Sequence, residues 1–235
     1  MTAVSVFPAV IFDYNGVLVD DEDVHLRAFQ EVLAPRGIAL TERDYWDKYL
    51  GYDDAGAFGA ILQASGRQPS QGDVRELVEA KRPIYRQLAA AELRTFPGAQ
   101  HLLQWLATRA TLGIVSGALR EEIELGLAVL GAQELFSFVV SAEDTARSKP
   151  DPEGYLLGKE KVSALASAAV ASQILVVEDS LSGVEAAKAA HMSCLALCHS
   201  YSATELRASG ADAVVDRLLD VTPELLAALY RSHRG

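Results

Sequence analysis

Short apolar runs alternate with amphipathic stretches along this chain, and the rhythm changes twice. Residues 8 to 13, PAVIFD, carry the strand-formers Val10, Ile11 and Phe12 and deliver Asp13 to a turn containing Gly16, after which a second short apolar run ends at Asp20. From 21 to about 94 the pattern is helical throughout. VHLRAFQEVLAPRGI is an amphipathic helix stopped near Pro35 and Gly37, Thr41 with Asp44 caps the helix in TERDYWDKYLG, and AGAFGAILQASG ends with Gly66 just past a helix. QGDVRELVEAKRPIYRQLAAAEL reads as a long helix with a kink or break at Pro83.

From Phe96 onward, strands of four to six residues alternate with longer helical segments. TLGIVSGA, FSFVVSAED, ILVVEDS, CLALCHS and ADAVVDR read as buried strands, separated by helices in REEIELGLAVLGA, DPEGYLLGKEKVSAL and SGVEAAKAAHM, with FPGAQHLLQWLATRA ahead of the first. This alternation implies parallel βαβ units, and the strand at 8 to 13 belongs with them. The fold class expected is α/β: a doubly wound, Rossmann-like parallel sheet from residues 1–19 and 96–235, with a helical domain, 20–95, inserted after the first strand. SALASAAVAS, residues 163–172, is Ala/Ser-biased but too short for a low-complexity region, and no internal repeat is present.

Composition narrows the partners. Twenty-one basic against thirty-two acidic residues give a net charge of -11 without a charged tail, which disfavours nucleic acid and anionic membrane. No run approaches the ~18 apolar residues of a spanning helix, and no signal segment opens the chain, so a cytoplasmic protein is expected, as a monomer or a homodimer. Cys194 and Cys198 lie in one apolar segment with no companion set of zinc-site spacing, and read as strand thiols.

A parallel sheet brings the carboxyl ends of its strands to one edge, where ligands bind in open α/β folds. That edge receives Asp13, then Ser116 and Gly117 from IVSGA, Lys149 from RSKPDPEGY, and Glu178 with Asp179 from VVEDSLSG. Singly, each has a plain structural use: Ser116-Gly117 as a strand-to-helix turn, Lys149 as a solvated cation, Glu178-Asp179-Ser180 as a cap for a helix starting at Leu181. Together they suit a phosphoryl group. Asp13 and Asp179 can hold one Mg2+, a hard cation that prefers oxygen ligands, and Ser116, the amides around Gly117 and Lys149 can hold phosphate oxygens.

In these residues the chain resembles the haloacid dehalogenase superfamily, in the branch with a helical cap inserted after the first strand, which includes β-phosphoglucomutase, phosphoglycolate phosphatase and many sugar-phosphate phosphatases. FDYNGVLVD, IVSGA, SKPDPEGY and VVEDSLSGVEAAKAA resemble its four motifs in order. The resemblance implies a small phosphate ester as substrate, Mg2+ as cofactor, Asp13 as the nucleophile that becomes an aspartyl-phosphate, Ser116 and Lys149 as phosphate binders, Asp179 as a metal ligand with Glu178 beside it in the metal shell, and the backbone carbonyl of Asn15 as a further ligand.

The chain departs from the family's Asp-x-Asp at Asn15. The second Asp protonates the leaving alkoxide and then deprotonates the incoming water, and an amide can do neither, which typically costs ~10² to 10⁴ in rate. Three explanations stand: a natural enzyme with residual or specialised turnover, a substitution made to trap a substrate or intermediate, or a phosphometabolite binder without turnover. His25 resembles a histidine used near the acid/base by β-phosphoglucomutases, and is either a proton source or a helix-face residue. Asp54 stands where those mutases carry an arginine for a second phosphate. With Asp53 it disfavours a bisphosphate and points to a monophosphate with a neutral or cationic leaving portion, or else belongs to a solvated turn. A metal-free dehalogenase would leave the Glu178-Asp179 pair without purpose.

Overall fold

The computed structural model describes residues 7–165 and 171–232. The chain divides into two compact units, one made of the residues up to Val19 together with those from Thr95 onward, the other of Asp20–Arg94.

In the first unit β1 (Ala9–Phe12), β2 (Thr111–Val115), β3 (Phe138–Val140), β4 (Ile174–Glu178), β5 (Ser193–Leu197) and β6 (Ala213–Val215) form one six-stranded sheet in the order β3-β2-β1-β4-β5-β6, every pairing parallel. Central strands of such a sheet are covered on both faces, so they read as continuous apolar runs rather than alternating ones. AVIF of β1 and ILVVE of β4 are buried at every position. β1 lies between β2 and β4, with Phe12 in register with Ile114 on one side and Val177 on the other. Asp13 is thereby set just past the strand end, its amide donating to the Val177 carbonyl at 2.9 Å.

Around the sheet run α5 (Ala99–Ala107), α6 (Arg120–Leu130), α7 (Glu153–Leu165), α8 (Leu181–Ala189), α9 (Ala203–Ala208) and α10 (Pro223–Ser232). Two of these have weak sequence signals and were not expected. The six residues of α9 form on a capping box between Ser202 and Glu205, and α10 is held by Leu226 and Leu229 with Tyr230, whose ring meets Phe7 at 5.0 Å. Of the segment 163–172, α7 ends at Leu165, residues 166–170 lie outside the described residues, and a single turn forms at Ala171–Gln173. Cys194 is buried in β5 and Cys198 lies just beyond it; both are free.

The second unit contains α1 (Glu22–Leu33), α2 (Glu42–Lys48), α3 (Asp54–Ala64) and α4 (Gln71–Glu92). Phe29, Leu33, Phe58, Ile61 and Leu77 are central to its apolar core. Thr41 accepts the Asp44 amide at 3.0 Å as the expected cap, and Gly66 takes φ +77° past the end of α3. The expected break at Pro83 does not occur: α4 continues unbroken to Glu92. Pro83 lies on the exposed face, where water can serve the carbonyl that loses its partner, while Leu77, Tyr85 and Leu88 bury the opposite face and hold the helix. Among the described residues no helix is long and apolar enough to cross a membrane.

Candidate active site

The turn after β1 is fastened from below. Tyr14, between the two polar residues of the motif, is fully buried and donates its hydroxyl to the Glu122 carbonyl of α6 at 2.9 Å. A Cβ on Gly126 would lie 1.8 Å from that hydroxyl, so only glycine admits the ring. With Tyr14 pointing inward, Asp13 and Asn15 belong to the strand-end edge, and the Leu18 amide closes the turn on the Tyr14 carbonyl at 2.8 Å.

Lys149, from the connection before α7, pairs with Asp13 Oδ1 at 2.9 Å and with Glu178 Oε1 at 2.6 Å. Burial pushes the Asp13 carboxyl from 3.8 up to about 6; Lys149 pulls against this and Glu178 adds to it. Burial works against charge on Lys149, but the two carboxylates outweigh it and hold the ammonium above the usual lysine range. Ser116 lies just past β2, with its amide on the Val140 carbonyl at 3.0 Å and its hydroxyl 3.4 Å from Asn15 Oδ1. Gly117 joins Ser116 and Lys149 in lining a small cavity under this edge.

Glu178 plays a different part from its neighbour. It is fully buried, and its Oε1 accepts from Lys149 and from the Tyr155 hydroxyl at 2.7 Å. Its Oε2 accepts the amides of Asp179 and Ser180 and the Ser180 hydroxyl, at 3.0 to 3.1 Å. Burial would raise this carboxyl, yet Lys149 and the hydrogen bonds hold it below its ordinary value. A Cβ on Gly183 would lie 1.8 Å from Oε1, so α8 comes as close as glycine permits. Both oxygens are occupied by the protein, although Asp13, Glu178 and Asp179 each bring an oxygen within 4.8 Å of the others. The residues fit a hard divalent cation: three carboxylates against one lysine leave an anionic surplus in a buried place, and carboxylate oxygens are the ligands such a cation prefers.

Two contacts at this edge come from residues outside the four motifs. The Ser200 hydroxyl, in the loop after β5, donates to Asp179 Oδ2 in a short hydrogen bond. His199 Nδ1 lies 2.7 Å from the Gly16 carbonyl. Both close the segment CLALCHS, just past the end of β5, and neither falls in one of the four motifs.

His25 and Asp54 lie in the helical unit, in a second buried polar cluster. Lys81, fully buried, is ion-paired with Asp54 Oδ1 and lies 2.7 Å from His25 Nδ1, with the Phe29 ring 4.4 Å beneath it. An ammonium only donates, so Nδ1 accepts and the His25 proton is on Nε2, 3.2 Å from Asp21 Oδ2. The Tyr85 hydroxyl donates to the same Asp21 oxygen at 2.6 Å. Asp53 caps α3, accepting the Gly56 amide at 2.7 Å. The reading of Asp53 and Asp54 as a shared solvated turn therefore does not hold for Asp54, whose Oδ2 is buried without a hydrogen bond from the protein.

Known proteins resemble this chain over most of its length. The family described as haloacid dehalogenase-like hydrolase matches residues 10–197, which include Asp13, Ser116, Lys149, Glu178 and Asp179. A phosphorylated carbohydrates phosphatase of Thermotoga maritima is 30% identical over 93% of this chain and 99% of its own length. A validoxylamine A 7'-phosphate phosphatase of Streptomyces hygroscopicus subsp. limoneus is 28% identical over 92% of this chain and 96% of its own. The fold is that of the β-phosphoglucomutase crystal structure from Clostridium difficile, with a TM-score of 0.84, 21% identity and coverage of 97% and 98% of the two chains. A parallel sheet that gathers Asp13, Ser116, Lys149 and Asp179 at one edge, and a match that spans all of them, make this chain a member of the haloacid dehalogenase-like hydrolase family.

Proposed function

We propose that the protein is a Mg2+-dependent phosphomonoester hydrolase acting on a small phosphorylated metabolite through Asp13, with turnover limited by Asn15. The observation that carries this reading is the convergence of Asp13, Ser116 and Lys149 beside the acidic pair Glu178-Asp179. Asp13, Asp179 and the backbone carbonyl of Asn15 would hold the cation. Bound there, it offsets the charge between a carboxylate and the phosphate dianion it attacks. Glu178 serves beneath them rather than as a direct ligand, since its oxygens already accept from Lys149, Tyr155 and the β4–α8 turn.

In the first half-reaction an Asp13 oxygen forms a bond to phosphorus as the ester P–O bond breaks, while Ser116, the amides near Gly117 and Lys149 hold the phosphoryl oxygens. The departing alkoxide needs a proton. In the second, water displaces Asp13 and must lose one. Asn15 can orient either partner by hydrogen bonding but can neither give nor take that proton. His25 is not the substitute: its Nδ1 accepts from Lys81 and its Nε2 proton is directed at Asp21.

For the leaving portion we favour a neutral or cationic group over a second phosphate. Lys81, the buried cation of the helical unit, is already paired with Asp54 and is not left over for a second phosphate. The amide at Asn15 also supports a second reading, a phosphometabolite binder without turnover.

Free phosphate released from a panel of phosphomonoesters with Mg2+ separates the two. Asn15→Asp is expected to raise kcat by ~10² to 10⁴ over the parent, and Asp13→Ala to abolish release. An Asn15→Asp protein silent across a broad panel would replace the hydrolase with the binder, and release surviving Asp13→Ala would refute the covalent mechanism.

A further inference from the structure

We infer that His199 and Ser200, in the loop after β5, are positioning residues that fix both walls of the cation site. The inference rests on the reading of Asp179 as a metal ligand. Asp179, 4% exposed, lies so close over the motif turn that a Cβ on Gly16 would come within 2.1 Å of its Oδ2. That oxygen is the one to which Ser200 donates, which fixes the carboxylate's rotation. The next residue back holds the opposite wall. A carbonyl oxygen only accepts, so the 2.7 Å contact to the Gly16 carbonyl means that His199 carries its proton on Nδ1.

The imidazole is itself held. It stacks on Phe96 with centroids 4.0 Å apart and planes at 14°, and the Phe96 amide donates to the Leu18 carbonyl at 3.1 Å. One dipeptide thus ties the carboxylate that ends the β4 motif to the turn that follows β1, and a shared support keeps the distance between them. Groups that orient a metal's ligands without touching the metal typically govern affinity ~10- to 100-fold. Neither residue touches the reacting atoms in this account. Their effect is on the geometry that Asp13 and Asp179 present.

The test is Mg2+ binding by calorimetry, read beside thermal melting without Mg2+, on the full chain and on Ser200→Ala, Ser200→Thr, His199→Ala and Asp179→Ala. Ser200→Ala is expected to raise the Mg2+ Kd by about 10- to 100-fold and to lower the metal-free melting temperature only as far as the loss of one hydrogen bond to a carboxylate does, with Ser200→Thr restoring both through its hydroxyl. His199→Ala is expected to weaken binding less, because Asp179 keeps Ser200. Undiminished affinity in Ser200→Ala, with binding lost in Asp179→Ala, would overturn the positioning role and leave the metal reading intact. Absence of binding in the parent, or unchanged binding in Asp179→Ala, would remove the metal reading and this inference with it. A Ser200→Thr protein that folds like the parent yet binds no better than Ser200→Ala would also overturn it.

Discussion

Each unit of this protein buries one lysine among carboxylates, and the two lysines do opposite things. Lys81 has one directly paired carboxylate, Asp54, an imidazole acceptor, and aromatic faces beneath it, with the buried Asp21 carboxylate on the far side of that imidazole. Lys149 answers two carboxylates, Asp13 and Glu178, with Asp179 close by, and the cluster stays anionic. A lysine met by one carboxylate and an imidazole is closed by its neighbours, whereas a lysine shared between two carboxylates with a third beside them leaves anionic oxygens suited to a cation. The same side chain meets one carboxylate directly in the helical unit and two at the sheet edge.

Substitutions that treat the two lysines alike would break or sharpen this contrast. The largest expected effect on stability is at Lys81. Lys81→Met should cost about 3–5 kcal/mol by stranding Asp54, and Lys81→Met with Asp54→Asn should recover much of it; denaturant melts without such recovery would mean that the pair is not balanced. Next come the phenols. Tyr85→Phe and Tyr155→Phe each remove a bond to a carboxylate, about 1.5–3 kcal/mol in general. Tyr155→Phe should fall at the low end because Glu178 keeps Lys149 and three donors from the turn. An equal or larger cost at Tyr155 would contradict the view of Glu178 as amply supported.

The smallest effect is at the helix caps, where the two units should behave alike. Hydrogen bonds from Ser70 lower the Asp73 carboxyl, and those from Ser202 lower Glu205. These carboxyls hold protons less tightly in the folded chain than in the unfolded one. Their contribution is therefore full above the ordinary values of 3.8 and 4.5 and disappears as pH falls through the lowered native ones. Melting temperature should drop across that acid window, and Ser70→Ala with Ser202→Ala should flatten part of the drop.

The two clusters also differ in how much of them could be read from sequence. Asp13, Ser116 and the Glu178-Asp179 pair each sit at the end of an apolar run or one residue past it, and parallel pairing carries every such end to the same edge. The cluster of Asp21, His25, Asp54, Lys81 and Tyr85 has no such rule. It forms where α1, α3 and α4 pack, and its members are separated by loops whose geometry no periodicity reports. His199 and Ser200 end CLALCHS, so their place at this edge could be read from the strand, but their contacts to the Gly16 carbonyl and to Asp179 depend on the loop after β5. Glu178 was legible as an acid near a metal but not as an acceptor of five bonds, which depends on the turn into α8 and on Tyr155. At Pro83 local chemistry pointed to a break, and burial of the opposite face of α4 prevailed.

Tyr14 gives the turn that carries Asp13 a root that reaches outside every motif. Because its hydroxyl fits only where Gly126 has no side chain, a single methyl added in the middle of α6 would press on the residue joining Asp13 to Asn15. A random screen for lost activity would therefore return hits at position 126, far along the chain from the aspartate they disable, in a helix that offers no chemistry of its own.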